Sequence, residues 1–253
     1  MRRPTFAIFA FVIATYVPSA RSGIIESHTL WPASEVRICW AKIKNHNEAF
    51  LPRFQKEIFS DSVLQTVRSD FTDEERKLVQ NAVQREYTSD RTGIHFEGWN
   101  EWSPVNRCDA LVFGVFTEGS VTGGDATIGY RGDRNAEGFY ATTLLGSGLP
   151  FVFLRLNHQD ETAQLTTLAL HEFGHLSGLR HEIRPMVHGP EQRVVLPPLP
   201  ACATEALGSS ATRVTEFDNE SIMNRCGAFK NQFQEGRDRL SELDVRTLRG
   251  FYP

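Results

Sequence analysis

The sequence predicts an α+β fold, and three observations point to it. Five short runs carry β-type residues, three longer stretches show helical periodicity, and a proline-rich tract sets the last helix apart. The first strand is expected at 36–40. Residues 72–87 then read as a helix, because Thr72 is a good N-cap and Glu75 completes a capping box. Leu78, Val79, Ala82, Val83 and Tyr87 follow it at helical spacing. Runs 94–99, 109–116 and 126–130 read as strands separated by Gly, Asn and Pro. Run 151–156, between Pro150 and Asn157, is mostly apolar and suits a buried strand. Residues 160–177 form the second strong helix. After it, Pro185, Pro190, Pro197, Pro198 and Pro200 fix φ and remove backbone donors, which forbids long regular structure. Residues 240–251 close the chain as an amphipathic helix capped near Ser241. The sheet and two long helices thus occupy an upper half to about Gly178, above a loop-rich lower half.

Composition narrows the function classes. The chain has 253 residues, 40% apolar and 23% charged, with a net charge of -4. That is too apolar and too weakly charged for disorder. It also lacks the basic excess that phosphate contacts need, so no nucleic-acid partner is expected.

The N-terminus has a different character. Arg2 and Arg3 precede a near-unbroken apolar run of 12 residues at 6–17, and small residues follow from Pro18 to Gly23. A bilayer crossing takes roughly 20 apolar residues, so this pattern fits a signal peptide over 1–22. The expected mature domain is 23–253, secreted or periplasmic, monomeric and without membrane attachment. In an oxidising setting Cys39, Cys108, Cys202 and Cys226 are expected to form two disulfides. Of the three pairings, Cys202 with Cys226 is favoured, since the polar stretch between them suits a stapled loop. Cys39 is then left for Cys108.

Residues 171–182 read His-Glu-Phe-Gly-His-Leu-Ser-Gly-Leu-Arg-His-Glu. His171 and His175, four apart on a helix, present both imidazoles on one face about 6 Å apart along the axis. That spacing lets two ring nitrogens converge on one zinc ion at about 2.0–2.1 Å. Gly178 can end the helix and turn the chain, so that His181 returns as a third ligand. Three protein ligands leave an open position, the mark of a catalytic zinc site. Glu172, rotated off the ligand face, is positioned to act on a water as general base.

This motif resembles the metzincin superfamily of zinc endopeptidases, H-E-x-x-H-x-x-G-x-x-H followed by a Met-turn. Met223, in Ser221-Ile222-Met223, lies 42 residues after His181 and matches the Met-turn. Glu182 after the third histidine, and the approach 217–223, resemble the astacin branch. Trp31-Pro32 resembles the opening of those domains and 240–252 their closing helix. The resemblance implies a zincin fold, with a twisted mixed five-stranded sheet and two long helices above a loop-rich lower subdomain. It also implies one zinc ion, a protein or peptide substrate, and Met223 as an apolar floor beneath the histidines. Astacins usually carry tyrosine two residues after that methionine; here Arg225 stands there. Being always protonated, Arg225 is no neutral ligand. It either hydrogen-bonds a developing oxyanion, lining the cleft, or faces elsewhere.

The implied reaction is peptide hydrolysis by a zinc-activated water, with Glu172 taking the proton and delivering it to the leaving amine. The run 126–130 resembles a substrate-binding edge strand, and equally reads as an ordinary one. Residues 131–133 spell Arg-Gly-Asp, which is read as a turn. A zinc-binding, catalytically attenuated interaction protein is the other functional class, with Arg225 as a sign of drift. The intact Glu172 argues against it.

Overall fold

The computed structural model describes residues 24–26, 29–41, 70–103, 105–117, 123–126, 129–130, 149–157, 162–181, 211–213, 218, 220–224 and 237–253. The expected leader, the 131–133 turn, Cys202, Cys226, Glu182 and Arg225 lie outside them. Among the described residues the chain runs through β1 (Ile24–Glu26), β2 (Glu35–Trp40), α1 (Asp73–Glu86), α2 (Ser89–Thr92), β3 (His95–Glu101), β4 (Ala110–Thr117) and β5 (Gly123–Ala126). It continues through β6 (Phe151–Asn157), α3 (Thr162–Leu176), β7 (Leu179–Arg180), β8 (Ala211–Arg213) and α4 (Glu242–Arg249).

The main sheet has the order β3-β2-β4-β6-β5. Its β2–β3, β2–β4 and β4–β6 pairs are parallel, whereas β5 runs antiparallel to β6 at the edge. Phe151, Val152, Phe153, Leu154 and Leu156 of β6 are all buried, as expected for an inner strand covered on both faces. A smaller antiparallel sheet has the order β7-β1-β8.

Helix α1 starts where its capping box predicts. Thr72 N donates to Glu75 Oε2 at 2.7 Å, and Glu75 N donates to Thr72 Oγ1 at 3.3 Å. Val79, Ala82 and Val83 are buried in one core with Val36, Ile38 and Phe96 of the sheet and Leu165, Leu168 and Phe173 of α3. Leu78, though at helical spacing with them, is 39% exposed. The Phe96 ring meets Phe173 edge-on at 4.9 Å between centroids. Cys39 and Cys108 form a disulfide, tying β2 to the segment before β4.

Two expectations need correction. The edge strand spans Gly123–Ala126; of the expected run 126–130, residues 127–128 lie outside the described residues and 129–130 are not in the strand. Gly129 has φ 61° and donates its N–H to the His175 carbonyl at 2.9 Å, so the chain there turns toward α3. The last helix is shorter than 240–251: Ser241 is its N-cap, and the helix spans Glu242–Arg249. The small sheet has no periodic signal in strands of two or three residues.

Candidate metal centre

Helix α3 buries almost every residue described from Leu165 onward, because its sequence is apolar on most sides. Within this apolar helix His171 is 2% exposed, Glu172 3% and His175 8%. Titratable groups that deep need partners or a cation, which marks the site.

The helix ends at Gly178, whose φ of 96° is readily adopted by glycine alone. Its N–H donates to the His175 carbonyl at 2.8 Å. The reversed chain becomes β7, held against β1 with Leu179 opposite Ile25, and His181 follows at once. His181 Nε2 then lies 3.1 Å from His171 Nε2 and 3.0 Å from His175 Nε2.

The outer nitrogens decide what these rings can bind. His171 Nδ1 is 2.7 Å from the Ile222 carbonyl oxygen, and His175 Nδ1 is 2.8 Å from that of Leu179. A carbonyl only accepts, so each Nδ1 carries the proton and each Nε2 presents a lone pair inward. Burial, then the neighbouring His181 and His171, hold His175 well below the ordinary imidazole pKa, in the neutral form that ligates. The lone pairs of His171 and His175 and the Nε2 of His181 converge on one point, where a cation would be held. Three nitrogens around one tetrahedral ion at 2.0–2.1 Å stand about 3.3 Å apart, close to the spacing here. The donor set fits a metal ion.

Glu172 leaves the ligand face and leans on the edge strand. A Cβ at Gly124 of β5 would lie 2.5 Å from Glu172 Oε1. Met223 is buried, and a Cβ at Gly174 would overlap its Sδ. Both glycines therefore serve close approach.

No family model matches the chain, and no curated protein matches it. Solved structures do. One structure of myroilysin superposes with TM-score 0.52 at 16% identity, over 91% of this chain and 98% of that one. The fold resembles that of myroilysin. A second myroilysin structure gives TM-score 0.47 at 18% identity, over 89% of this chain and 86% of that one. At such identity the likeness to myroilysin concerns architecture, and it does not single out the astacin branch.

The structure brings His171, His175 and His181 together, and Met223 is buried against Gly174 of the same helix. Three contributors had no signal in the motif. The carbonyls of Ile222 and Leu179 carry no residue identity, and Gly124 lies just before the run expected as a strand. A fourth contributor is a clamp on the end of α3. Trp31 Nε1 donates to the Leu176 carbonyl at 2.7 Å, and Tyr252 Oη donates to that of Ser177 at 3.0 Å. Tyr252 Oη also accepts from Trp31 N at 3.2 Å. These bonds satisfy carbonyls that a helix terminus leaves open.

Proposed function

We propose that this chain is a secreted zinc-dependent endopeptidase of the metzincin type, acting on protein or peptide substrates. The observation that carries the reading is the convergence of three Nε2 atoms, with the His171 and His175 rings held by Nδ1–H bonds to backbone carbonyls. An all-imidazole triad suits zinc and leaves a position for substrate chemistry. Bound there, zinc polarises a scissile carbonyl and lowers the pKa of a water toward about 7.

Glu172 is the general base of this proposal. Its carboxylate takes a proton from the attacking water and passes it to the leaving nitrogen. Near-complete burial keeps bulk water from competing for that proton. The edge strand β5 supports an extended substrate, since main-chain groups on the side away from β6 can pair with a peptide. Gly124 brings that strand against Glu172. The Cys39–Cys108 disulfide supports the extracytoplasmic setting and, with it, the reading of 1–22 as a leader and 23–253 as the enzyme. No helix among the described residues is long and apolar enough to cross a membrane.

The test is incubation of purified protein with a mixed denatured-protein substrate, with and without a chelator. Cleavage that the chelator abolishes and zinc restores is expected. Cleavage indifferent to the chelator overturns the metal role, and zinc binding without cleavage overturns the enzyme reading.

A further inference from the structure

The Ile222 carbonyl that faces His171 belongs to a turn with its own anchor, helix α4. Asp244 Oδ2 accepts from Ile222 N at 3.0 Å and from Ser241 N at 3.1 Å. Asp244 Oδ1 accepts from Ser221 Oγ at 2.6 Å, and Ser221 Oγ accepts from Met223 N at 3.0 Å. Ser241 Oγ in turn donates to Asp218 Oδ2 at 2.6 Å. Asp218, Ser221 and Asp244 are all buried.

Asp244 is the third residue of α4 and closes a capping box with Ser241. A capping box uses only the exchange between those two residues. Here the same carboxylate takes two further donors, both from residues 221–222. Bonds to an ionised acceptor are the strong ones, and a fully bonded buried network is rigid. The Ile222 residue is therefore held through its N–H by Asp244, while its carbonyl holds the His171 ring. The α4 capping box is complete without these two bonds to the turn.

We propose that Asp244, together with Ser221, is a positioning residue for the metal centre. It acts through Ile222, fixing the Nδ1–H form and the orientation of His171, and so sets how tightly the metal is held. The inference rests on the metal-centre reading above and deepens it by naming the element that tunes the ligand.

The test compares wild type, Ser221→Ala, Asp244→Asn and Thr72→Ala. Thr72→Ala opens the capping box of α1, remote from the turn, and controls for general loss of stability. Zinc affinity is read by chelator competition, and the His171 ring form by nitrogen NMR of the metal-free protein. Outer partners of metal ligands are typically worth about 10–100-fold in affinity. Ser221→Ala and Asp244→Asn are expected to weaken zinc about tenfold or more and to mix the His171 ring forms, with Thr72→Ala unchanged on both. Ser221→Ala leaves the α4 capping box whole, so it decides alone if Asp244→Asn does not fold. Wild-type affinity in Ser221→Ala, or a loss no greater than in Thr72→Ala, overturns the proposal. Should wild type itself hold no zinc, the metal reading fails separately. An unchanged His171 ring form in Ser221→Ala then still overturns the positioning role.

Discussion

His171 Nδ1 stands 2.7 Å from the carbonyl oxygen of Ile222, a residue 51 positions further along the chain. That bond joins the histidine-bearing helix α3 to the turn before Met223. It gives the ring one proton position and one orientation, which a ligand on a helix face alone would not have. The turn is thus tied to the His171 ring itself.

Met223 and Gly174 are complementary in volume. A methyl at 174 would overlap the Met223 sulfur, so Gly174→Ala should cost about 1–3 kcal/mol through overpacking. Met223→Ala should cost about 2–5 kcal/mol through the cavity it leaves. The double variant should cost clearly less than the sum, because the added methyl enters the vacated space. Denaturant unfolding of the four proteins measures this. Strict additivity would separate the two residues.

Gly124 acts on Glu172 rather than on the metal. Gly124→Ala should displace the Glu172 carboxylate, since the new Cβ would sit 2.5 Å from Oε1. A displacement of about 1 Å at a reacting group can cost about a hundredfold in rate. The expected outcome is kcat lowered by about that factor at unchanged zinc content, read by peptide hydrolysis alongside metal analysis. Loss of zinc with the rate would show that position 124 supports the ligands instead.

Tyr252 joins the Ser177 carbonyl, just past α3, to the Trp31 N–H, and Tyr252→Phe should destabilise the fold by about 1–3 kcal/mol at neutral pH. Burial pushes its phenol up to about 12, above the ordinary value of about 10. A raised folded-state pKa favours the neutral phenol in the native protein. Its stabilisation is therefore complete below about pH 10 and is lost as pH rises through about 12. Tyr87, also pushed well up by burial, contributes in the same direction. Stability measured from pH 9 to 12 should fall less steeply in Tyr252→Phe than in wild type. Equal slopes would remove Tyr252 from the alkaline response.

The histidine spacing, the α1 capping box and the place of α3 were legible in the sequence because each follows from local chemistry. His171 to His175 is one helical turn, and Thr72 with Glu75 caps a helix in any context. The Cys39–Cys108 bridge followed from the parity of cysteines and the favoured partner of Cys202. The edge strand was misread because Thr127, Ile128 and Tyr130 have β-type side chains, whereas the strand sits on Gly123 and Gly124. There pairing with β6 overrides propensity. Strand β1 was invisible at three residues, too short to show a period, although it supports the segment that delivers His181. The backbone carbonyls that hold the histidines carry no side-chain identity to read. Asp244 was visible only as part of a helix start, since its second set of partners lies more than twenty residues away.

The central claim, a metal-dependent endopeptidase with Glu172 as its base, is tested most directly by one paired measurement. Hydrolysis of a denatured-protein substrate is followed for wild type and Glu172→Gln, with zinc counted in the same preparations. Both proteins should hold one zinc per chain, with turnover in the variant reduced at least about a hundredfold, as removal of a general base requires. A Glu172→Gln protein that cleaves at the wild-type rate would contradict it.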